Sequence, residues 1–161
     1  MVKRMRTSRG FTLTELMVVV SIIGLSLLIT APMVGQYMRD KELSDSTRAL
    51  ASHLDLARNL AIADHNPCEV FFDSGAGTYW LLDDDNGNGT ADTGERQFGP
   101  YSIGSTVSIQ NLDLGGGGRL VFQPSGMLAS TQGGRVIFGD ARGNADTLEV
   151  YNSGTTSKHI Y

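Results

Sequence analysis

The chain has one cysteine among its 161 residues, so Cys68 can close no intramolecular disulfide. A reactive thiol would need an activating histidine or helix terminus, and only His65 is close in sequence, so Cys68 reads as a partly buried thiol at a strand edge. The three histidines, His53, His65 and His159, show no zinc-ligand spacing, and His53 reads as a packing or surface residue of a helix. No nucleophile elbow, Walker loop or dinucleotide fingerprint occurs, and the glycine run 115–118 lacks the Lys-Ser/Thr that a phosphate loop requires. These absences argue against an enzyme and leave no organic cofactor to expect. Basic residues are scarce too: of 13, four (Lys3, Arg4, Arg6, Arg9) lie in the first ten positions, and without them nine face 17 acidic residues, a balance of −8. Phosphate contacts need clustered Lys and Arg, so nucleic acid is not an expected partner.

Charge is also missing from residues 11–31, where Glu15 is the only ionisable side chain. An apolar run of roughly twenty residues is long enough to cross a bilayer. A carboxylate inside it is costly, roughly 2.5–3.5 kcal/mol for a central Asp on insertion scales, which marks Glu15 as a functional acid in need of a partner. Cleavage after Gly10 would create that partner, an α-amine on Phe11 of the same chain or a neighbouring one. The basic residues ahead of the run predict a leader that stays cytoplasmic and a single-pass chain whose remainder lies across the membrane as one exported domain. An ordinary secretory signal ending near Ala31 is the alternative; the length of the run and Glu15 speak against it.

The stretch Arg9-Gly10-Phe11-Thr12-Leu13-Thr14-Glu15, followed by Gly24 and Pro32, resembles the class III signal of type IV pilins and pseudopilins. The resemblance implies leader cleavage between Gly10 and Phe11 by a prepilin peptidase and N-methylation of Phe11. It also implies assembly roles for Glu15, Gly24 and Pro32, with other pilins or pseudopilins as partners in a helical filament drawn from the inner membrane. The expected divisions are a leader (1–10), a transmembrane and assembly helix (11–32), an amphipathic helix (33–67) and an antiparallel β domain (68–161).

Pro32 removes the amide donor that would reach the Leu28 carbonyl, so a kink or loosening is expected around 28–35. Beyond it Tyr37, Leu43, Leu50, Leu54, Ala57 and Ala61 recur at helical spacings while Asp40, Asp45, Arg48 and Asp55 fall elsewhere, the pattern of an amphipathic helix over about 36–64 that Asn66-Pro67 ends. From Cys68 on, β-rich runs at 69–72, 78–82, 106–109, 119–122, 135–138 and 147–151 alternate with Gly, Asp and Asn. Strands without intervening helices mean an antiparallel sheet or two small sheets. The fold class expected is therefore α+β: a long kinked N-terminal helix packed on a C-terminal antiparallel β domain, as in pilins.

A second resemblance rests on Leu54-x-Leu56-Ala57-Arg58-x-x-Ala61-Ile62, on Asn66-Pro67-x-x-Val70 and on Leu120-Val121-Phe122-x-Pro124-x-Gly126. These are similar to the GspH/FimT family of minor pilins and pseudopilins. Asn59-Leu60 stands where that family commonly has Ser-Glu, and the tail has no Arg after Gly154. The resemblance implies a structural minor pilin of a type IV pilus-like filament. An H-type minor pseudopilin of a type II secretion system is the alternative, and a DNA-binding competence pilin the lesser one.

One motif stands outside this reading. Residues 84–95 fit the twelve-residue calcium-loop template, with Asp84, Asn86 and Asn88 at positions 1, 3 and 5, Gly89 at 6, Thr90 at 7, Asp92 at 9 and Glu95 at 12. The flanks are strand-like, so this would be an EF-like loop in a hairpin with structural calcium. A solvated Asp/Asn/Gly turn is the alternative, since the same residues dominate turns.

Overall fold

The structure is a computed structural model that describes residues 10–115, 117–129 and 132–160. One helix and eight strands follow one another: α1 (Leu13–Asp64), β1 (Cys68–Asp73), β2 (Thr78–Asp83), β3 (Arg96–Ser102), β4 (Val107–Asp113), β5 (Arg119–Phe122), β6 (Gly134–Asp140), β7 (Ala145–Val150) and β8 (Thr156–Ile160). The chain divides into two compact units, the first ending at Met38 and the second running Arg39–Tyr161.

In the first unit, every large apolar side chain from Phe11 to Met38 is exposed, and the helix is long and apolar enough to cross a membrane by length and composition. The helical assignment passes through Pro32 without a break. Proline costs one amide donor but holds φ near −65°, which is helical. Ser21 and Ser26 return their hydroxyls to the Met17 and Ile22 carbonyls at 2.8 Å, so these polar groups are satisfied within the helix.

In the second unit, the helix buries Leu43, Thr47, Leu50, Leu54, Ala57 and Ala61. The steps alternate four and three, which keeps all six on one face. Two four-stranded antiparallel sheets, ordered β3-β2-β1-β5 and β4-β6-β7-β8, share one core with that face. Val70, Leu81, Leu120 and Phe122 come from the first sheet, and Val136, Phe138, Leu148 and Val150 from the second. Tyr37, expected on the stripe, is instead 67% exposed and belongs to the first unit. Thr47 takes the position an apolar pattern would miss, its hydroxyl satisfied by the Leu43 carbonyl at 3.0 Å and the Asp146 carboxylate at 3.4 Å.

Polar ties flank the stripe and set the docking of this part of the helix. Glu42 accepts from the Ser105 amide at 2.7 Å and the Thr106 hydroxyl at 2.6 Å, fixing the β3–β4 connection. These donors hold its carboxyl below the usual range, the Thr106 hydroxyl most strongly. Lys158 of β8 bridges Asp146 at 2.7 Å and Ser44 at 2.9 Å. His53 meets the Tyr79 hydroxyl at 2.8 Å through Nδ1 and stacks on Tyr101 with ring centroids 3.9 Å apart. The helix ends where expected: His65 takes the left-handed conformation, φ 62°, of a C-terminal cap, and Pro67 follows.

Two strands go beyond the predicted set. β3 carries Gly99-Pro100, which reads as a break, but an edge strand tolerates proline because half its amides face no partner. β8 is a short polar edge strand, paired with β7 from Val150↔Thr156 to Asp146↔Ile160.

Leu54 is fully buried, so Leu54→Ala should destabilise the domain by about 2–5 kcal/mol, read as a lowered denaturant midpoint at unchanged slope for the full chain in detergent micelles. Burial lowers the His53 pKa below 6.5. The unfolded chain therefore takes up its proton first: the stabilisation is complete above pH 6.5 and is lost as pH falls through the folded-state value. The stability advantage of the wild type over His53→Gln should shrink between pH 7.5 and lower pH; a difference that does not change with pH would mean that His53 titrates as it does in the unfolded chain.

Candidate functional site

Three groupings of the residues singled out in the sequence are built differently. At the start of α1, Thr12 and Glu15 form a capping box: the Thr12 amide and hydroxyl both donate to Glu15 Oε2 at 2.9 Å, and the Glu15 amide donates to Thr12 Oγ1 at 3.3 Å. A carboxylate in the first turn also complements the positive end of the helix dipole. Phe11 just ahead is 87% exposed, and a side-chain carbon placed on Gly10 or Gly24 would meet nothing within 4 Å. Basic residues 3, 4, 6 and 9 lie outside the described residues.

The second grouping is the β2–β3 connection. Asp83 pairs with Arg96 in the strand register, so the twelve residues 84–95 are the whole hairpin loop. Asp84 is fully buried; its Oδ1 accepts from the Gly87 and Asn88 amides at 2.7 and 3.3 Å and its Oδ2 from the Gly89 amide at 2.8 Å. Asn86 Oδ1 accepts from the Asn88 amide at 2.9 Å, and Asn88 Oδ1 from the Thr90 amide at 2.7 Å. Asp92 Oδ2 takes the side-chain amides of Asn86 and Asn88 at 2.8 and 2.6 Å, which lower its pKa. Glu95 Oε2 accepts from the Asp92 amide at 2.9 Å. All six residues expected as ligands therefore lie in one closed loop, its turns made possible by Gly87 and Gly89 at φ 72° and 73°.

The third grouping joins the far-apart motifs of the second resemblance. Arg58 Nε donates to the Gly126 carbonyl at 2.9 Å. Gly126 and Gly154 both have positive φ, and a side-chain carbon on Gly154 would stand 2.3 Å from the Gly126 carbonyl oxygen. The helix, the turn after β5 and the turn before β8 thus close on one another, and Gly154 has no marker in the sequence beyond being a glycine.

The remaining candidates are a buried thiol and two exposed histidines. Cys68 is buried, and burial pushes its thiol up to about 12, so it stays protonated and unreactive at neutral pH. His65 Nδ1 lies 2.8 Å from the Ile62 carbonyl in its capping position. His159, on β8, lies 3.6 Å from the carboxylate of Glu149 on β7.

Comparison with known proteins matches both ends of this architecture. The prokaryotic N-terminal methylation motif matches residues 5–31, and the family of the type II transport protein GspH matches residues 46–154. Among solved structures, the minor pseudopilin EpsH from the Type 2 Secretion System of Vibrio cholerae superposes with a TM-score of 0.56 at 15% identity, over 74% of this chain and 97% of that one. No curated protein matches the chain in sequence. The GspH match takes in most of the chain, with the Arg58–Gly126–Gly154 closure and every strand but β8 inside it, and the chain belongs to the GspH family.

Proposed function

We propose that the chain is a minor pseudopilin, a structural and non-catalytic subunit that enters a type II secretion filament through its N-terminal helix. The observation that carries this reading is the union of a methylation motif over 5–31 with a GspH domain over 46–154 through one helix, Leu13–Asp64. The family's description favours the secretion filament over a type IV pilus, which would use the same signal and scaffold. In this reading the helix sits in the inner membrane, the β domain is periplasmic, and prepilin peptidase cuts between Gly10 and Phe11 before the new terminus is methylated.

The physical chemistry of that cut supports the assignment of Glu15. Cleavage removes four basic side chains and exposes an α-amine whose ordinary pKa is about 7.7–8.0, so it is largely protonated near neutral pH. A positive charge at a helix N-terminus is unfavourable against the dipole, and in an apolar filament core it is costly without a counter-charge. Glu15 is the only carboxylate from Phe11 to Ala31 and stands one turn away. Gly24 and the exposed apolar residues of the helix supply the packing surface for neighbouring subunits.

Intact mass and N-terminal sequencing of the membrane-extracted protein, from cells with and without prepilin peptidase, should show a peptidase-dependent start at Phe11 and the mass of one added methyl. A start near Pro32, or an uncut chain, would end the filament reading. Removing one member of a buried ion pair costs about 3–5 kcal/mol, so Glu15→Ala should insert in the membrane at wild-type levels yet be nearly absent from sheared filaments. Equal recovery of both proteins in the filament fraction would remove Glu15 from assembly.

A further inference from the structure

We propose that buried Asp84 guards the β2–β3 loop against self-modification: by holding the amides of Gly87 and Gly89 it keeps the Asn86-Gly87 and Asn88-Gly89 pairs from deamidating. Among the described residues no three carboxylate, histidine or cysteine side chains are grouped to hold a metal ion. The polar groups of residues 84–95 are instead turned on one another.

The reaction is intrinsic to the sequence. Every Asn-Gly pair in the chain lies in this loop, at 86–87 and 88–89. In such a pair the glycine backbone nitrogen gives up its proton and attacks the asparagine Cγ; the N–Cγ bond forms, the Cγ–Nδ2 bond breaks, and the side-chain nitrogen takes up a proton and leaves as ammonia. Water then opens the cyclic imide at either carbonyl to give aspartate or isoaspartate, so one water is consumed for each ammonia released. Glycine favours the attack because it has no Cβ to obstruct ring closure and leaves the backbone most freedom. Asparagine is accordingly among the residues that limit a protein's durability. Burial gives no shelter, since Asn86, Gly87 and Asn88 are exposed. Nor can the glycines be exchanged without strain, because they stand at φ 72° and 73°.

Hydrogen bonding supplies the restraint. The Gly87 amide donates to Asp84 Oδ1 at 2.7 Å and the Gly89 amide to Asp84 Oδ2 at 2.8 Å, so one carboxylate holds both attacking nitrogens, one on each oxygen. Asp84 is fully buried, which shields its side of these bonds from competing water. Its negative charge also opposes the loss of a proton from an adjoining nitrogen. The carbons under attack are restrained as well. Asn86 Oδ1 accepts from the Asn88 amide at 2.9 Å and Asn88 Oδ1 from the Thr90 amide at 2.7 Å, while both side-chain nitrogens donate to Asp92 Oδ2 at 2.8 and 2.6 Å. Each asparagine is thereby directed at the second amide after it, not at the first, which is the one that would attack.

The test uses the full chain in detergent micelles at mildly alkaline pH, with deamidation at each asparagine followed by peptide-mapping mass spectrometry. A hydrogen bond to a charged group is strong enough that Asn86 and Asn88 should react at least about tenfold more slowly in the folded wild type than in the same chain in guanidinium chloride. Asp84→Ala should bring both close to the unfolded rate while Asn152, exposed and outside the loop, keeps its wild-type rate. Asp84→Asn keeps the shape but only one acceptor oxygen. That oxygen best serves the Gly87 and Asn88 amides, which share Oδ1, so Asn88 should accelerate while Asn86 stays slow. A purely structural loss would speed Asn86, Asn88 and Asn152 together. Hydrogen exchange of the Gly87 and Gly89 amides needs no variant: slow exchange in the wild type is expected. Exchange at the unfolded rate, a folded wild type that deamidates as fast as the denatured chain, or folded Asp84 variants with unchanged rates at both asparagines would overturn the proposal. These readouts do not depend on leader processing or filament entry, so the failure of one proposal leaves the other standing.

Discussion

A single helix must satisfy two environments, and the chain's design follows from that constraint. From Arg39 onward its face of Leu43, Thr47, Leu50, Leu54, Ala57 and Ala61 is buried in the core shared with both sheets; from Phe11 to Met38 its large apolar side chains are exposed among the described residues. Burying a leucine contributes about 1.5–3 kcal/mol, so the β domain has a core of its own, while each exposed apolar side chain of the helix would gain a comparable amount on leaving water. Glu15 fits the same division. Its carboxylate is satisfied by its own capping box with Thr12.

Much of this was legible in sequence because it depends on short-range pattern. The helical spacing of 43–61, the stop at Asn66-Pro67 and the strands at β1, β2 and β5 are local signals, and the structure places them within a residue or two of expectation. What escaped depends on edges and long-range partners. β3 holds a proline that only an edge position excuses, and β8 is too polar to register as a strand until β7 pairs with it. Thr47 lies in the core because Asp146, ninety-nine positions away, accepts its hydroxyl, and Tyr37 fits the periodicity but precedes the β domain's cover.

The family resemblance acquires a physical cause at Arg58. The sequence motifs lie more than sixty residues apart, yet Arg58 donates to the Gly126 carbonyl, and Gly154 approaches that oxygen more closely than any residue with a side-chain carbon could. A motif of Arg on the helix and Gly after a strand therefore specifies how the helix meets two turns at once. In this chain the closure needs one guanidinium and two glycines, while the surrounding core needs only apolar residues of suitable volume.

The far end of α1 shows how charge is used in a chain with few cations. Its last turn contains no basic residue and ends in Asp64, the wrong sign for the negative pole of a helix. Arg96, from the first residue of β3, supplies the missing charge by bridging Asp64 and Asp83. Asn66 donates to Asp85 at 3.0 Å, and the Asp84 amide donates to the Pro67 carbonyl at 3.0 Å, so the helix terminus and the base of the hairpin loop are held as one unit. That guanidinium is engaged at the base of the loop, and residues 84–95 themselves hold four carboxylates and no basic side chain.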